Sequence, residues 1–274
     1  MNIIGLGHGG CRIADEFNKY PQYTCYKLDV NEEGERCWTF PLFKTAEEYE
    51  ENVPNLKKFF KPILGEVLFI LAGSGAISGA TLGILEQLKT HPISVLYVQP
   101  ELDLLTTKQK MRERMVRGVL QEYARCGLLR RIYLVSNPAI EAIIGDVPIM
   151  GYLDKLNETL VSSLHMIHVF QNTKPVVGKV EDPQDVCRIS TFGLFDAEKN
   201  TEKMFFPLDK PRDICYIYGV NKNKLQTDGN LFRKIVNQMK SKISPQVNVS
   251  YAVLPTSYEE DMGFCISHAS LVQS

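Results

Sequence analysis

Val67-Leu68-Phe69-Ile70-Leu71-Ala72-Gly73-Ser74-Gly75-Ala76-Ile77-Ser78-Gly79-Ala80-Thr81-Leu82-Gly83-Ile84-Leu85-Glu86-Gln87-Leu88 reads as strand, glycine loop and helix in direct succession. Val67 to Leu71 is a continuous apolar run of strand length, the pattern of a strand buried on both faces. Leu82, Leu85 and Leu88 then recur at helical spacing. Between them, Ala72 to Thr81 is built from small residues, with Gly73, Gly75, Gly79, Ser74 and Ser78. Loop N–H groups and a helix N-terminus aimed at one point make an anion cradle, and small side chains let a phosphate approach. The competing reading is an ordinary connection between a strand and a helix.

A second glycine turn stands at the start of the chain. Asn2 to Gly5 reads as a strand, and Ile13, Ala14 and Phe17 as the apolar face of a helix. Gly5, Gly7 and Gly10 between them satisfy Gly-x-Gly-x-x-Gly in the strand–turn–helix setting that this motif needs. Tyr26 to Val30 is the next strand, and Asp29 on it lies about twenty residues beyond the glycines, where a dinucleotide fold carries its ribose-binding acid. A Rossmann-type NAD(P) oxidoreductase is therefore one reading. A turn kept only for tight packing of strand on helix is another.

Composition narrows the field. The 274 residues can bury one large core or two smaller ones. Charged residues are 23% and the net charge is −1, so no bulk basic surface points to nucleic acid. The seven cysteines form no Cys-x-x-Cys, which favours a reducing compartment and buried thiols. His165 and His168 sit three apart on a helical stretch, but no carboxylate accompanies them as a metal set would require. No metal site is expected on that basis. The chain starts on a strand without a basic, then apolar, leader, and no apolar run has the length of a membrane span. The expectation is a cytoplasmic protein.

Both glycine turns resemble loops of the tubulin and FtsZ family. Ala72-Gly73 stands where the family's strand ends in Ala-Gly, and Gly75-Ala76-Ile77-Ser78-Gly79-Ala80-Thr81 stands at its Gly-Gly-Gly-Thr-Gly-(Thr/Ser)-Gly signature. Gly75 and Gly79 match and Ser78 replaces Thr, while Ala76, Ile77 and Thr81 replace glycines. Ile77 is the largest departure, since a branched side chain resists positive φ and fills space a phosphate would use. At the first turn Gly5, Gly7, Gly9 and Gly10 match the family's Gly-Val-Gly-Gly-Gly-Gly-Gly-Asn-Ala-Val. His8 and Cys11 replace glycines, and Arg12 stands where the family has a base-contacting Asn. Leu28-Asp29-Val30 falls on the family's Asn-Thr-Asp loop. Residues 31–66 hold no Gly-Ala-Gly, the family's γ-phosphate-sensing loop. A second phosphate loop at 73–81 is what separates this family from dinucleotide folds.

The rest of the chain follows the family in element order. Ser94 to Val98 is a strand, and Lys108 to Ala124 an amphipathic helix whose Lys110, Arg112, Arg114 and Arg117 read as a solvated basic face. Asp103 and Lys108 are minor candidates for sugar and phosphate contacts by the resemblance. Ile132 to Val135 is a strand, followed by Ser136-Asn137-Pro138; the resemblance places Asn137 near the ribose, against the plain reading of an Asn-Pro turn. Tyr152 to Gln171 is the long helix, with Leu153, Leu156, Leu160, Leu164, Ile167 and Phe170 or Gln171 as its core stripe. By resemblance it is the family's central helix, with Asn157 reading the base and Tyr152 the nearest stacking aromatic. In the loop after it, Asp182-x-x-Asp185-Val186 matches the family's Asp-x-x-Asp-Val, although Val180 replaces the leading Asn. Two carboxylates so spaced can orient an attacking water. Strands at Asp213–Gly219, Val247–Leu254 and Phe264–Leu271 and a helix at Leu231–Ile243 complete a smaller mixed domain. The chain stops soon after its last strand, so FtsZ's long C-terminal tail is not expected.

The sequence thus implies an α/β fold: a mainly parallel, Rossmann-like nucleotide-binding domain at 1–151, a central helix at 152–172 and an α+β domain at 173–274. The resemblance is to a divergent tubulin/FtsZ-like protein, of a size that suggests a phage-type or plasmid-type tubulin. It implies GTP/GDP and Mg²⁺ as ligands, head-to-tail assembly with copies of itself, and hydrolysis at the joint. Gly5, Gly7, Gly9, Gly10, Arg12, Asp29, Gly73, Gly75, Ala76, Ser78, Gly79, Asn137 and Asn157 would serve nucleotide binding, and Asp182 and Asp185 catalysis. A relative that has lost hydrolysis, a nucleotide switch that never polymerises and the NAD(P) oxidoreductase stay open.

Overall fold

Six strands, each except β2 followed by a helix, build a parallel sheet: β1 (Asn2–Leu6), α1 (Gly7–Phe17), β2 (Thr24–Asp29), β3 (Cys37–Thr39), α2 (Ala46–Glu51), β4 (Val67–Leu71), α3 (Thr81–Leu88), β5 (Ile93–Gln99), α4 (Thr107–Arg125), β6 (Arg131–Ser136) and α5 (Asn137–Ile144). The spatial order is β3-β2-β1-β4-β5-β6, and every neighbouring pair runs parallel. The order reverses between β1 and β4. Open α/β sheets bind ligands beyond the carboxyl ends of their strands at such a reversal. β1 and β4 are buried along their whole length: β4 is an unbroken apolar run, and the one polar side chain of β1, Asn2, donates to the carbonyls of Leu64 and Glu66.

The computed structural model describes residues 1–274, and these fall into two compact units. The first is Met1–Val161 together with Val272–Ser274; the second is Ser162–Leu271. The division falls inside the long helix α6 (Tyr152–Gln171). Leu156, Leu160, Leu164, Ile167 and Phe170 are buried along it, in keeping with the stripe. Leu153 departs from the stripe, being 46% exposed, because the first turn of α6 borders an open cavity.

The second unit contains β7 (Val177–Gly178), β8 (Ile189–Asp196), β9 (Thr201–Met204), β10 (Asp213–Asn221), α7 (Lys222–Thr227), α8 (Leu231–Lys242), β11 (Asn248–Thr256) and β12 (Met262–Ala269). Its strands run β8-β12-β10-β11-β7, with β9 on the other side of β8. Only β10 and β11 are parallel. Successive side chains of β10 point to opposite faces. Tyr216, Tyr218 and Val220 meet Ile235 and Met239 of α8 on one face, and Gly219 lies against the Phe170 ring of α6 on the other. No helix of the protein is long and apolar enough to cross a membrane. All seven cysteines are free thiols.

Candidate functional site: two glycine turns at the sheet reversal

The first turn is tighter than its sequence suggests. No loop separates β1 from α1; the helix begins at Gly7 itself, with φ of +70° there and no side chain capping it. The glycines divide by task. A Cβ on Gly5 would stand 2.3 Å from the carbonyl oxygen of Gly10, and one on Gly10 would stand 2.5 Å from that of Ile70. These two let helix and strands close. Gly9 is exposed, and a Cβ there would only graze Ala72 at 3.8 Å. The uncapped N–H groups of the first turn of α1 therefore face open space over Gly9, the arrangement that attracts an anion. Cys11, at a family glycine position, is 1% exposed; its thiol donates to the carbonyls of Gly5 and Leu28, and burial holds it protonated. It serves packing.

The second turn leaves β4, passes through Ala72–Gly75, forms a 3₁₀ turn over Ala76–Ala80 and enters α3. Ser78 is buried, and its hydroxyl braces the loop against the carbonyls of Gly75, at 2.7 Å, and Gly73, at 3.1 Å. Its hydroxyl is thus spent on the loop. Gly79 is required by α2, since a Cβ would stand 2.0 Å from the carbonyl of Ala46. Gly73 is required by Tyr97, whose hydroxyl would stand 2.2 Å from a Cβ. Gly75 alone faces open space, and no side chain caps the N–H groups that follow it. Ile77 avoids the strain expected of it. It lies in the 3₁₀ turn rather than at positive φ, where the only non-glycine residues are Asn200 and Lys210. Its bulk is another matter, because Cγ2 reaches to 2.8 Å from where a Gly7 Cβ would be.

That contact brings the two turns together, one from each strand at the reversal. The other carboxyl-end residues gather along the same edge. Asp29 ends β2 and is 8% exposed, with no hydrogen bond to its carboxylate. Asn137 opens α5 directly after β6, with Pro138 in the first turn, so Ser136-Asn137-Pro138 starts a helix and is not a plain turn. Arg12 is ion-paired with Asp154 at the start of α6. Arg12, Asp154, Glu141, Gly151 and Tyr152 line a cavity of about 450 Å³. Tyr152 donates to Glu141 at 2.6 Å, and that bond pushes the phenol up to about 12. Asn157, one turn further along α6, is half-buried and lies outside the lining of this cavity.

In the second unit, Asp182 and Asp185 lie on the exposed loop between β7 and β8. Neither carboxylate takes a hydrogen bond from the chain. The loop is pinned from below. Asp213 accepts from the main-chain N–H of Gln184 at 3.1 Å and from Asn248 at 2.9 Å, and Arg188 donates to the carbonyl of Asp185 at 2.8 Å. Asp213 was not a sequence candidate. Its only signal was an acid at the first position of a strand.

No protein-family model and no curated protein matches the sequence. Solved structures match along its whole length. A GTPγS-form protofilament of TubZ from Bacillus thuringiensis serovar israelensis superposes with a TM-score of 0.76 at 16% identity, over 99% of this chain and 86% of that one. A type III plasmid segregation TubZ gives 0.74 at 16%, over 99% and 88%. An empty FtsZ dimer from M. jannaschii gives 0.70 at 9%, over 98% and 87%. The fold is that of tubulin and FtsZ. The strand order of the first unit alone also suits a dinucleotide fold; the match over both units separates the two.

The tubulin/FtsZ fold thus presents here two uncapped turns, an unpartnered carboxylate on Asp29 and a polar cavity over Arg12 and Tyr152, a donor set that fits a nucleotide. Ile77 narrows the passage between the turns. One further feature was illegible in sequence. Arg117 and Glu113 of α4 are 6% and 2% exposed, so that part of the expected solvated basic face is in fact interior. Arg112, half-buried, donates to the carbonyl of Ser74 at 2.9 Å and so holds the second turn from α4.

Proposed function

We propose that this protein binds guanine nucleotide at the β1/β4 reversal, assembles head to tail with copies of itself and hydrolyses GTP where two subunits join. The observation that carries the reading is the meeting of the two open glycine turns, Gly7 against Ile77, inside a fold whose solved relatives include filaments in GTPγS and GDP forms. Main-chain N–H groups after Leu6 and after Gly75 hold the phosphates. Asp29 and Asn137 take the ribose. The cavity over Tyr152 takes the base, with Asn157 one turn away. Mg²⁺, when bound with the nucleotide, neutralises charge on the phosphates.

Asp182 and Asp185 act on the next subunit. Their carboxylates are free to accept from a water and turn it toward the phosphate. Asp213 keeps their loop in position. Phosphoryl transfer depends mostly on such positioning and on electrostatics, so a site completed only by assembly couples turnover to the filament. A contact between unlike faces that repeats without closing gives a filament.

The test is phosphate release from GTP per subunit as protein concentration rises. The expected curve stays near zero and climbs above a threshold, with pelleting at the same concentration. Asp182→Asn should lower the plateau by roughly two orders of magnitude while nucleotide affinity holds, the size typical of losing a positioned base. A rate per subunit independent of concentration overturns the split site. Ile77 favours one second reading, a filament protein that binds nucleotide without turning it over. Saturable GTP binding with no phosphate release at any concentration selects it.

A further inference from the structure

A buried polar chain runs from the Val272–Ser274 segment to the second glycine turn. The main-chain carbonyl of Gln273 accepts from Arg117 Nη1 at 3.0 Å and from Gln121 Nε2 at 3.1 Å, and its N–H donates to Gln121 Oε1 at 2.7 Å. Arg117 Nε donates to Glu113 Oε1 at 2.9 Å. The same oxygen accepts from the Tyr97 hydroxyl at 3.1 Å, which is shared with the Glu113 carbonyl. Gly73 lies directly against the Tyr97 hydroxyl, which would stand 2.2 Å from a Cβ placed there. Every side chain on this path is buried.

We infer that Val272–Ser274 is a latch on the second turn: seated on α4, it holds Gly73 in place through Arg117, Glu113 and Tyr97, and its withdrawal loosens the turn. The inference rests on the nucleotide-binding reading, whose phosphate turn it regulates. Two physical points carry it. Each polar group in the chain is satisfied by the next, and in a low-dielectric interior a group that loses its partner must move or admit water. Removing Gln273 leaves the Arg117 guanidinium short of an acceptor, and Glu113, its ion-pair partner, is the group tied to its movement. Gly73 has no slack, since it packs on the Tyr97 hydroxyl without room for a methyl group. Tyr97 stays protonated, because burial and then Glu113 raise its pKa, so it remains a donor to Glu113. The latch also has a natural handle. Val272 is joined directly to Leu271, the last residue of the second unit, although it belongs to the first. Displacement of the end of the second unit is therefore delivered to the turn by a covalent link. Tyr97, Glu113 and Arg117 are positioning residues on this view.

Amide hydrogen exchange of the nucleotide-free protein tests the latch, using Gln121→Leu, truncation after Leu271, Tyr97→Phe and the double variant Gln121→Leu/Tyr97→Phe. Exchange of residues 72–80 should rise about fivefold in each single variant, the weight of one hydrogen bond, with Val67–Leu71 unchanged. The double variant should exchange no faster than Tyr97→Phe alone, since both act along one path. Unchanged exchange of residues 72–80 in the two latch variants overturns the inference. So does a rise shared equally with Val67–Leu71, or effects of Gln121 and Tyr97 that simply multiply. Titration with a fluorescent guanine nucleotide runs alongside, and the latch variants should bind more weakly by the same factor. A wild-type protein that binds no guanine nucleotide overturns the functional reading, while the exchange rates still judge the latch.

Discussion

The two glycine turns look alike in sequence and are built for different tasks. In the first, glycine keeps strand and helix close at Gly5 and Gly10 and leaves an open approach at Gly9. In the second, Gly73 and Gly79 are consumed by neighbours behind the turn, Tyr97 and Ala46, and only Gly75 is open. The first turn is shaped mainly by its own strand, helix and neighbouring β4. The second is shaped by α2, β5 and α4, elements separate from it in sequence. A glycine motif therefore says where the backbone is crowded or open, and only the packing says which.

Four substitutions would break or sharpen that contrast. Gly5→Ala should cost most, about 3 kcal/mol in urea unfolding, because a methyl group at 2.3 Å from the Gly10 carbonyl forces β1 and α1 apart. Gly79→Ala should cost about 2 kcal/mol, since the six-residue α2 that it would strike can shift further than a central strand. Ile77→Gly should cost about 1–2 kcal/mol by losing a half-buried side chain and stiffening residue, yet raise nucleotide affinity severalfold by opening the passage over Gly7. Gly9→Ala should leave stability within about 0.5 kcal/mol and weaken nucleotide binding about tenfold in the same titration. Equal stability losses for Gly5→Ala and Gly9→Ala would erase the division of tasks in the first turn. An Ile77→Gly protein with unchanged affinity would show that the phosphates do not pass between the turns.

Much of the fold could be read from residues with one dominant pattern. Val67–Leu71 and the stripe of α6 were legible because burial on both faces and burial along one face leave distinct spacings. Helix α1 was legible only from Ile13 onward, since glycines do not advertise a helix, and here the ends of β1 and α1 abut without a loop. Helix α5 was hidden by Asn137-Pro138, which signals a turn as readily as it starts a helix with proline in the first turn. Strand β8 was not recognised at all. The existence of the two turns was legible, and so was the loop position of Asp182 and Asp185 after the long helix. The roles of individual glycines, the bracing by Ser78 and the burial of Arg117 were not, because each depends on a partner distant in sequence. Charges at helical spacing resemble a wet face until tertiary structure covers them.

The return of Val272–Ser274 to the first unit also makes the topology that of a host and a guest. The second unit is inserted into the first, entering in the middle of α6 and leaving just before Val272. A fragment ending at Val161 would keep every strand of the parallel sheet and still expose Arg117 and Gln121 where Gln273 belongs. Dissecting this protein therefore calls for rejoining two cut ends with a short linker rather than for a single cut. A host rebuilt in that way would keep both glycine turns and lack the acidic loop, and so could be asked to bind nucleotide without any partner to hydrolyse it.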